Sequence, residues 1–405
     1  MTKLDFSYLI APTTVTDFLG ERWQKSALFI KRDEADRYRG LIEAADADAI
    51  LSMADRLPAA AVDLVGAVLP SEVADRATNT QAELFGKGAT IRVRAIQRFH
   101  KQLGELCRNL ETEFGFPVRA NLYCTPANSR GFNLHFDTHE VFVLQLLGKK
   151  KWQIFEPTMR LPLECVPPLP FETDDEAWQR ARGREHSSQD IDEADVGPLV
   201  MDALLEPGDC LYLPRGFVHQ ADSRDEPSAH LSIGVHVLTW LDLLSVALGQ
   251  TAQRHEDFRL ALPAGLLAEP NNNAAEFEKE FDERLRLFAG DAAFATAVRE
   301  IAESLAETRS ARSSGDDYDA TLVDGETKFE GNGRLRFYLA ADGTMAGIAG
   351  AEKELWLPVS FAPALRFVTE QKLFSPREIP GSITENGKLA FVRHLLKDGF
   401  VRLAR

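Results

Sequence analysis

Cysteine is scarce in this chain, and its placement excludes more than its number does. Cys107, Cys124, Cys165 and Cys210 stand far apart with no C-x-x-C pair, a spacing that supports neither a zinc ribbon nor a disulfide framework and leaves buried free thiols as the plain reading. Long apolar runs are missing too: no stretch approaches the roughly 20 residues of a membrane-spanning helix. The opening Met1-Thr-Lys-Leu-Asp-Phe6 lacks the charged-then-apolar layout of a secretory signal, so a cytoplasmic location is expected. No internal repeat is visible. Positive charge is in deficit, with 46 Lys and Arg against 62 Asp and Glu for a formal charge of −16. Such a surface repels a phosphate backbone unless basic residues are locally concentrated, and it attracts a basic peptide or protein.

What is present reads as an ordinary globular chain of two or three domains, 405 residues long with 44% hydrophobic and 27% charged residues. The first hundred residues are mixed, with Phe18, Trp23, Phe29 and Ile30 as apolar anchors in short helices and a strand, and positions 41–67 reading as helical. From Val118 the pattern alternates as a half-buried strand does. A turn cluster at 126–131 follows, then short β-rich runs at Phe132–Asp137, Val141–Leu147, Trp152–Phe155, Cys210–Leu213 and His230–Leu238. Short strands separated by Gly/Pro turns indicate a sandwich or barrel of the double-sheet jelly-roll type. The acidic stretch 172–195 reads as a surface insertion.

After Trp240 the pattern becomes helical. Phe277, Phe281, Leu285 and Phe288 form one stripe, read as intramolecular core ahead of a dimer seam. Ser310–Asp317 reads as a linker. The region 320–405 combines β-like runs at 335–339 and 355–359 with a final helix near Lys388–Leu396, which carries Leu389, Val392 and Leu396 and is followed by Gly399 as a C-cap; it suggests a winged-helix-like module. The expected domains are 1–240 (catalytic), 241–315 (helical) and 316–405 (C-terminal).

The chemistry rests on three residues. On a strand, His135 and Asp137 project to the same face, and imidazole plus carboxylate suits a divalent transition metal. Alone, an H-x-D pair is common by chance. Downstream, Glu206-Pro-Gly-Asp-Cys-Leu-Tyr-Leu-Pro-Arg-Gly-Phe-Val-His219 is a turn, an apolar strand and a second turn ending in a histidine, which a closed jelly roll returns beside the first pair. Two imidazoles and one carboxylate on one face of an octahedral ion leave positions open for cosubstrate and oxygen. A structural zinc site would take four closed ligands instead. His139 is read as supporting the site or its turn, and His230 and His236 as core histidines.

Here the sequence resembles the JmjC ribosomal-oxygenase (cupin-4) family. The residues that carry the likeness are Asn121-Leu-Tyr123, Asn133-Leu-His135-Phe-Asp137-Thr-His-Glu-Val-Phe-Val-Leu-Gln145, Gly148-Lys-Lys-Lys-Trp152, Pro207-Gly-Asp209, Leu213-Pro-Arg-Gly-Phe-Val-His219-Gln-Ala and His230-Leu-Ser-Ile. Ile10-Ala-Pro and Leu357-Pro-Val-Ser-Phe-Ala-Pro extend it toward both ends. The resemblance implies an α+β chain with a double-stranded β-helix core, a helical dimerisation region and a C-terminal winged-helix-like domain. It also implies an iron(II)- and 2-oxoglutarate-dependent dioxygenase that uses O2 to hydroxylate a His or Arg of a ribosomal protein. In it, Lys150 matches the residue that pairs with the distal carboxylate of 2-oxoglutarate. Alternation does not choose among Lys149, Lys150 and Lys151. Asn121, Tyr123 and Ser232 match positions near the cosubstrate.

Two other readings stand beside this one. The same chemistry can act on a dedicated precursor peptide or another cytosolic protein. A non-catalytic cupin can serve as a binding module whose winged helix grips nucleic acid, although the basic residues of that region are interspersed with acids.

Overall fold

The computed structural model describes residues 4–404 apart from 43–45, 58–60, 66–79, 165–190, 192–195, 264–265, 267–273, 292–293, 314–324, 332–334, 341–342, 351–353, 382 and 398–399. Two antiparallel sheets face each other. The larger takes β1 (Leu28–Ile30), β2 (Val62–Val65), β3 (Thr90–Val93), β4 (Val118–Thr125) and β5 (Glu140–Leu147). The smaller takes β6 (Lys150–Phe155), β7 (Leu199–Leu205) and β9 (Val218–Ser223), while β8 (Cys210–Leu213) and β10 (Ser228–Val235) return to the larger. The strand orders are β1-β8-β5-β10-β4-β3-β2 and β7-β6-β9. This is a double-sheet, jelly-roll-type arrangement of antiparallel strands with helices packed around it.

Strict alternation divides the larger sheet into two faces. Ala120, Leu122 and Cys124 of β4, Phe142 and Leu144 of β5, Cys210 and Tyr212 of β8, and Leu231, Ile233 and Val235 of β10 pack into one core. The helix Lys101–Phe114 closes that core with Leu103, Leu106 and Leu110, all fully buried. The opposite face supplies Val141, Val143, Leu211 and Leu213, which meet Trp152, Ile154, Ala203 and Leu205 of the smaller sheet. Where that second face lacks aliphatic residues, in β4 and β10, a cavity opens instead.

Several expectations need adjustment. Among the described residues of 41–67 one helix is present, Ala47–Ala54, before β2; β2 pairs with β3, and that ladder outweighs the local helical composition. Phe132–Asp137 is not a strand. Only His135 is paired there, in an isolated bridge to His219. The helix Phe294–Ser313 runs into the expected linker. The rest of that linker, all of 172–195 except Ile191, Cys165 and Gly399 lie outside the described residues; Cys107, Cys124 and Cys210 are buried thiols outside any disulfide.

Helices Trp240–Arg254, Ala274–Gly290 and Phe294–Ser313 follow the double sheet. The aromatic stripe is only partly core in the single chain: Phe288 packs beside buried Ala247 and Ala297, whereas Phe281 and Leu285 are exposed at 63% and 48%. The C-terminal region has β11 (Phe329–Gly331), β12 (Arg336–Leu339), β13 (Met345–Ala349), β14 (Glu354–Pro358), β15 (Leu373–Phe374) and β16 (Val401–Leu403) in two three-stranded sheets. Helices Ala362–Glu370 and Glu385–Lys397 share one core with them, in which Val392 and Leu395 are fully buried. Among the described residues, no helix is long and apolar enough to cross a membrane.

Candidate active site

The bridge between His135 and His219 brings together two segments 84 positions apart. His135 donates its backbone N–H to the His219 carbonyl at 3.2 Å, and His219 donates back at 2.8 Å. Gly216 N–H reaches the Asp137 carbonyl at 2.9 Å, so the loop before β5 and the loop before β9 are tied on both sides of the ligand set. One donor atom from each of His135, Asp137 and His219 lies within 4.8 Å of the others. The imidazole centroids are 4.3 Å apart, and His219 Nε2 is 3.7 Å from Asp137 Oδ2.

Both histidines are oriented the same way. His135 Nδ1 lies 2.7 Å from the Asn133 carbonyl, and His219 Nδ1 lies 2.9 Å from the Phe217 carbonyl. A carbonyl can only accept, so Nδ1 carries the proton and Nε2 keeps its lone pair for a ligand. Burial, with the His135 ring adding to it, pulls the His219 pKa down to about 4, so its imidazole is neutral at physiological pH. Burial pushes the Asp137 carboxyl up, but the His139, His219 and His135 rings outweigh it and hold Asp137 below its ordinary value. A carboxylate and two imidazoles that each turn Nε2 to the same point, with no fourth His, Cys, Asp or Glu in the group among the described residues, fit a six-coordinate cation with open positions.

Around the triad lies a cavity of about 290 Å³. Lys150, Asn121, Tyr123 and Ser232 all line it. The lysine run divides cleanly: Lys149 pairs with Glu206 at 2.6 Å and Lys151 with Asp202 at 2.9 Å, both outside. Lys150 points inward, 3% exposed, and donates to Thr125 Oγ1 at 2.9 Å. Burial lowers its pKa to about 8. The turn that sets this register has Gly148 at φ +58°, where a Cβ would stand 2.1 Å from the Pro227 carbonyl oxygen; only glycine fits.

Ser232 and Asn121 sit opposite each other in the β10–β4 register, as do His230 and Tyr123. Asn121 Oδ1 accepts the Ala95 N–H at 3.1 Å, which fixes the amide. Tyr123 stacks on His230 at 4.9 Å and 8°.

Sequence reasoning missed several cavity residues. Trp152 lines the cavity, 5.9 Å from the His219 ring and edge-on to His230. His230 is buried, as a core histidine would be, yet it faces the cavity, where burial and Lys150 push its pKa far down. His236 is not a core residue: it also faces the cavity, hydrogen-bonds to Glu164 and stacks on His139 at 4.7 Å. Arg92, Arg94 and Arg119 complete one wall. Alternation along β4 and β10 was the available signal for Arg119, His230 and His236.

A family model described as JmjC domain matches residues 93–243. A protein of Gallus gallus named ribosomal oxygenase 1 is 30% identical over 293 residues, 67% of this chain and 44% of that protein. Its human namesake is 32% identical over 270 residues, 64% of this chain and 39% of that one. A protein of Aedes aegypti named bifunctional lysine-specific demethylase and histidyl-hydroxylase NO66 is 30% identical over 280 residues, 64% of this chain and 40% of that one. This chain therefore spans less than half the length of these relatives. Among solved structures, the Escherichia coli ribosomal oxygenase YcfD covers 97% of this chain and 98% of its own at TM-score 0.43 and 17% identity. A complex of YcfD with cobalt and 2-oxoglutarate aligns at TM-score 0.42 and 16% identity.

Proposed function

We propose that this chain, whose residues 93–243 match a JmjC domain, is an iron(II)- and 2-oxoglutarate-dependent dioxygenase that hydroxylates a His or Arg side chain of a protein, a ribosomal protein in the first instance. The observation that carries this reading is the triad of His135, Asp137 and His219 within 4.8 Å, sharing one cavity with the inward Lys150. In this reading His135, Asp137 and His219 hold the iron, Lys150 binds the distal carboxylate of 2-oxoglutarate, and Asn121, Tyr123 and Ser232 line the cosubstrate's place. When bound, iron with 2-oxoglutarate and O2 supplies the oxidant, releasing succinate and carbon dioxide.

The chain's own part is positioning. The Asn133 and Phe217 carbonyls fix the two imidazoles, and the Lys150 ammonium, held by Thr125, offers a charge-assisted bond to a carboxylate. Trp152, Val141 and Leu213 form apolar walls that keep water from the reacting centre.

The domains 1–240, 241–315 and 316–405 are assigned as catalytic, dimerising and winged-helix-like. Exposed Trp240, Leu244, Leu248, Phe281 and Leu285 support a homodimer built on the helical region, since apolar patches of that kind mark interaction sites. The −16 charge favours a basic partner, and a cytoplasmic location fits a ribosomal target. Incubation with iron(II), 2-oxoglutarate and a ribosomal-protein lysate, read by intact mass, tests the reading. A protein gaining one oxygen atom, only when metal and cosubstrate are present, is the expected result; no metal-dependent succinate from 2-oxoglutarate would sink it.

A further inference from the structure

Two of the three ligands are carried by different sheets. Asp137 lies three residues before β5 of the larger sheet, and His219 lies in β9 of the smaller. Their spacing therefore depends on the turn at 214–217, which carries the chain from β8 across to β9. The β5–β8 ladder stops at Val141 and Leu213, so the pairing of these strands does not reach the turn. A backbone bond does, from the Gly216 N–H to the Asp137 carbonyl at 2.9 Å.

Beside the turn sits a buried pair that the chemistry above leaves unused. Glu140, the first residue of β5, is 0% exposed, and Arg215, inside the turn, is 7% exposed. Arg215 Nε stands 3.6 Å from Glu140 Oε1. The other carboxylate oxygen accepts the Tyr212 hydroxyl at 2.5 Å, and that hydroxyl accepts the Gln24 N–H at 2.9 Å. Arg215 Nη1 donates to the Pro162 carbonyl at 2.9 Å. Gly216, at φ +89°, closes the turn so tightly that a Cβ would run into the Met159 carbonyl oxygen. Four stretches of chain thus converge on one guanidinium and one carboxylate.

Stability does not account for this pair. At 3.6 Å the two atoms attract without a hydrogen bond between them, which is a poor offset for taking both charges out of water. Burial pushes the Glu140 carboxyl up and the Arg215 guanidinium down, each toward its neutral form. Apolar side chains of similar volume would hold the fold as well. They would not give the turn a fixed direction.

Resting on the metal-site reading above, we propose that Glu140 and Arg215 are positioning residues, whose pairing sets the turn at 214–217 and with it the spacing of His219 from Asp137. The ring follows the turn, because His219 Nδ1 lies 2.9 Å from the Phe217 carbonyl. Neither Glu140 nor Arg215 is among the described residues that line the cavity, so each acts through the backbone that carries a ligand.

Cobalt(II) titration of the full chain, read by visible absorption beside a urea midpoint, tests this. In the double variant Glu140→Gln with Arg215→Met both charges go, while Tyr212 keeps an acceptor. Its urea midpoint should equal or exceed that of wild type. Cobalt should nevertheless bind about tenfold to a hundredfold more weakly, as when the partners that orient ligands are lost, and with an altered spectrum. Unchanged affinity and spectrum overturn the proposal. Should the double variant fold poorly, Arg215→Lys decides. It keeps the cation but loses the fork that reaches Glu140 and Pro162 together, and it should bind cobalt about tenfold more weakly at an unchanged midpoint. Wild-type affinity in Arg215→Lys, or a midpoint that falls in step with affinity, overturns the proposal. A wild-type chain that binds no cobalt rejects the metal-site reading itself, an outcome distinct from equal binding in wild type and variants.

Discussion

Replacing Lys150 by Met should make the protein more stable and less able to hold its cosubstrate. Burial lowers the Lys150 pKa from 10.5 to about 8. At about 1.36 kcal/mol for each pKa unit, keeping this ammonium inside costs the fold roughly 3 kcal/mol at pH 7. Below pH 8 both folded and unfolded chains carry the proton, and the cost is fully present. Between pH 8 and 10.5 the folded chain has released it while the unfolded chain retains it, so stability rises with pH; above 10.5 the cost is gone. Methionine has a similar length and no charge, but it removes the Lys150 bond to Thr125 Oγ1, which keeps only the Thr90 hydroxyl at 3.2 Å, a loss of about 1 kcal/mol. The net expectation at pH 7 is a gain of roughly 2 kcal/mol, read as a higher urea midpoint. That advantage should shrink as pH is raised toward 10.5. In parallel, calorimetric titration with manganese present should show 2-oxoglutarate bound roughly tenfold to a hundredfold more weakly, the worth of one charge-assisted bond. A variant less stable than wild type at pH 7, or a difference indifferent to pH, would refute the reasoning about Lys150.

Other outcomes follow from the same geometry. His219→Ala should abolish succinate formation and leave the far-ultraviolet circular dichroism unchanged, because the backbone bridge to His135 does not need the ring. Gly148→Ala should lower the thermal midpoint more than Gly115→Ala does: both have positive φ, but only at Gly148 does a Cβ run into backbone, and such strain costs on the order of 1–3 kcal/mol. Phe281→Glu with Leu285→Glu should convert a dimer to a monomer by light scattering without loss of helix, since both side chains are already exposed in the single chain.

The double sheet was legible because its signal is local. Val118–Cys124 and Cys210–Leu213 alternate or run apolar between turn residues, and each became a strand. The triad was legible for another reason: H-x-D and the histidine after Pro214-Arg-Gly-Phe-Val have few alternative uses in that context. The geometry that joins them was not. Phe132–Asp137 looks like a strand, yet His135 is held by the neighbouring Asn133 carbonyl and by one bridge to His219, 84 positions away. The choice among three lysines came from the structure. Trp152 and Ile154 are buried on the inner face of β6, and Lys150 shares their parity. The helical region misled because a phenylalanine stripe shows that a face is to be covered without saying by what. His230 and His236 share the parity of Ser232 along β10, but parity names a face without saying that a cavity lies against it.

The central claim is that three side chains hold one metal ion. Cobalt(II) titration of the wild-type chain, followed by its visible absorption, should reach one equivalent with a five- or six-coordinate spectrum, and 2-oxoglutarate should then perturb that spectrum. In Asp137→Ala and His219→Ala the same titration should show binding weakened beyond detection. Equal cobalt affinity in these variants and in wild type would contradict the account.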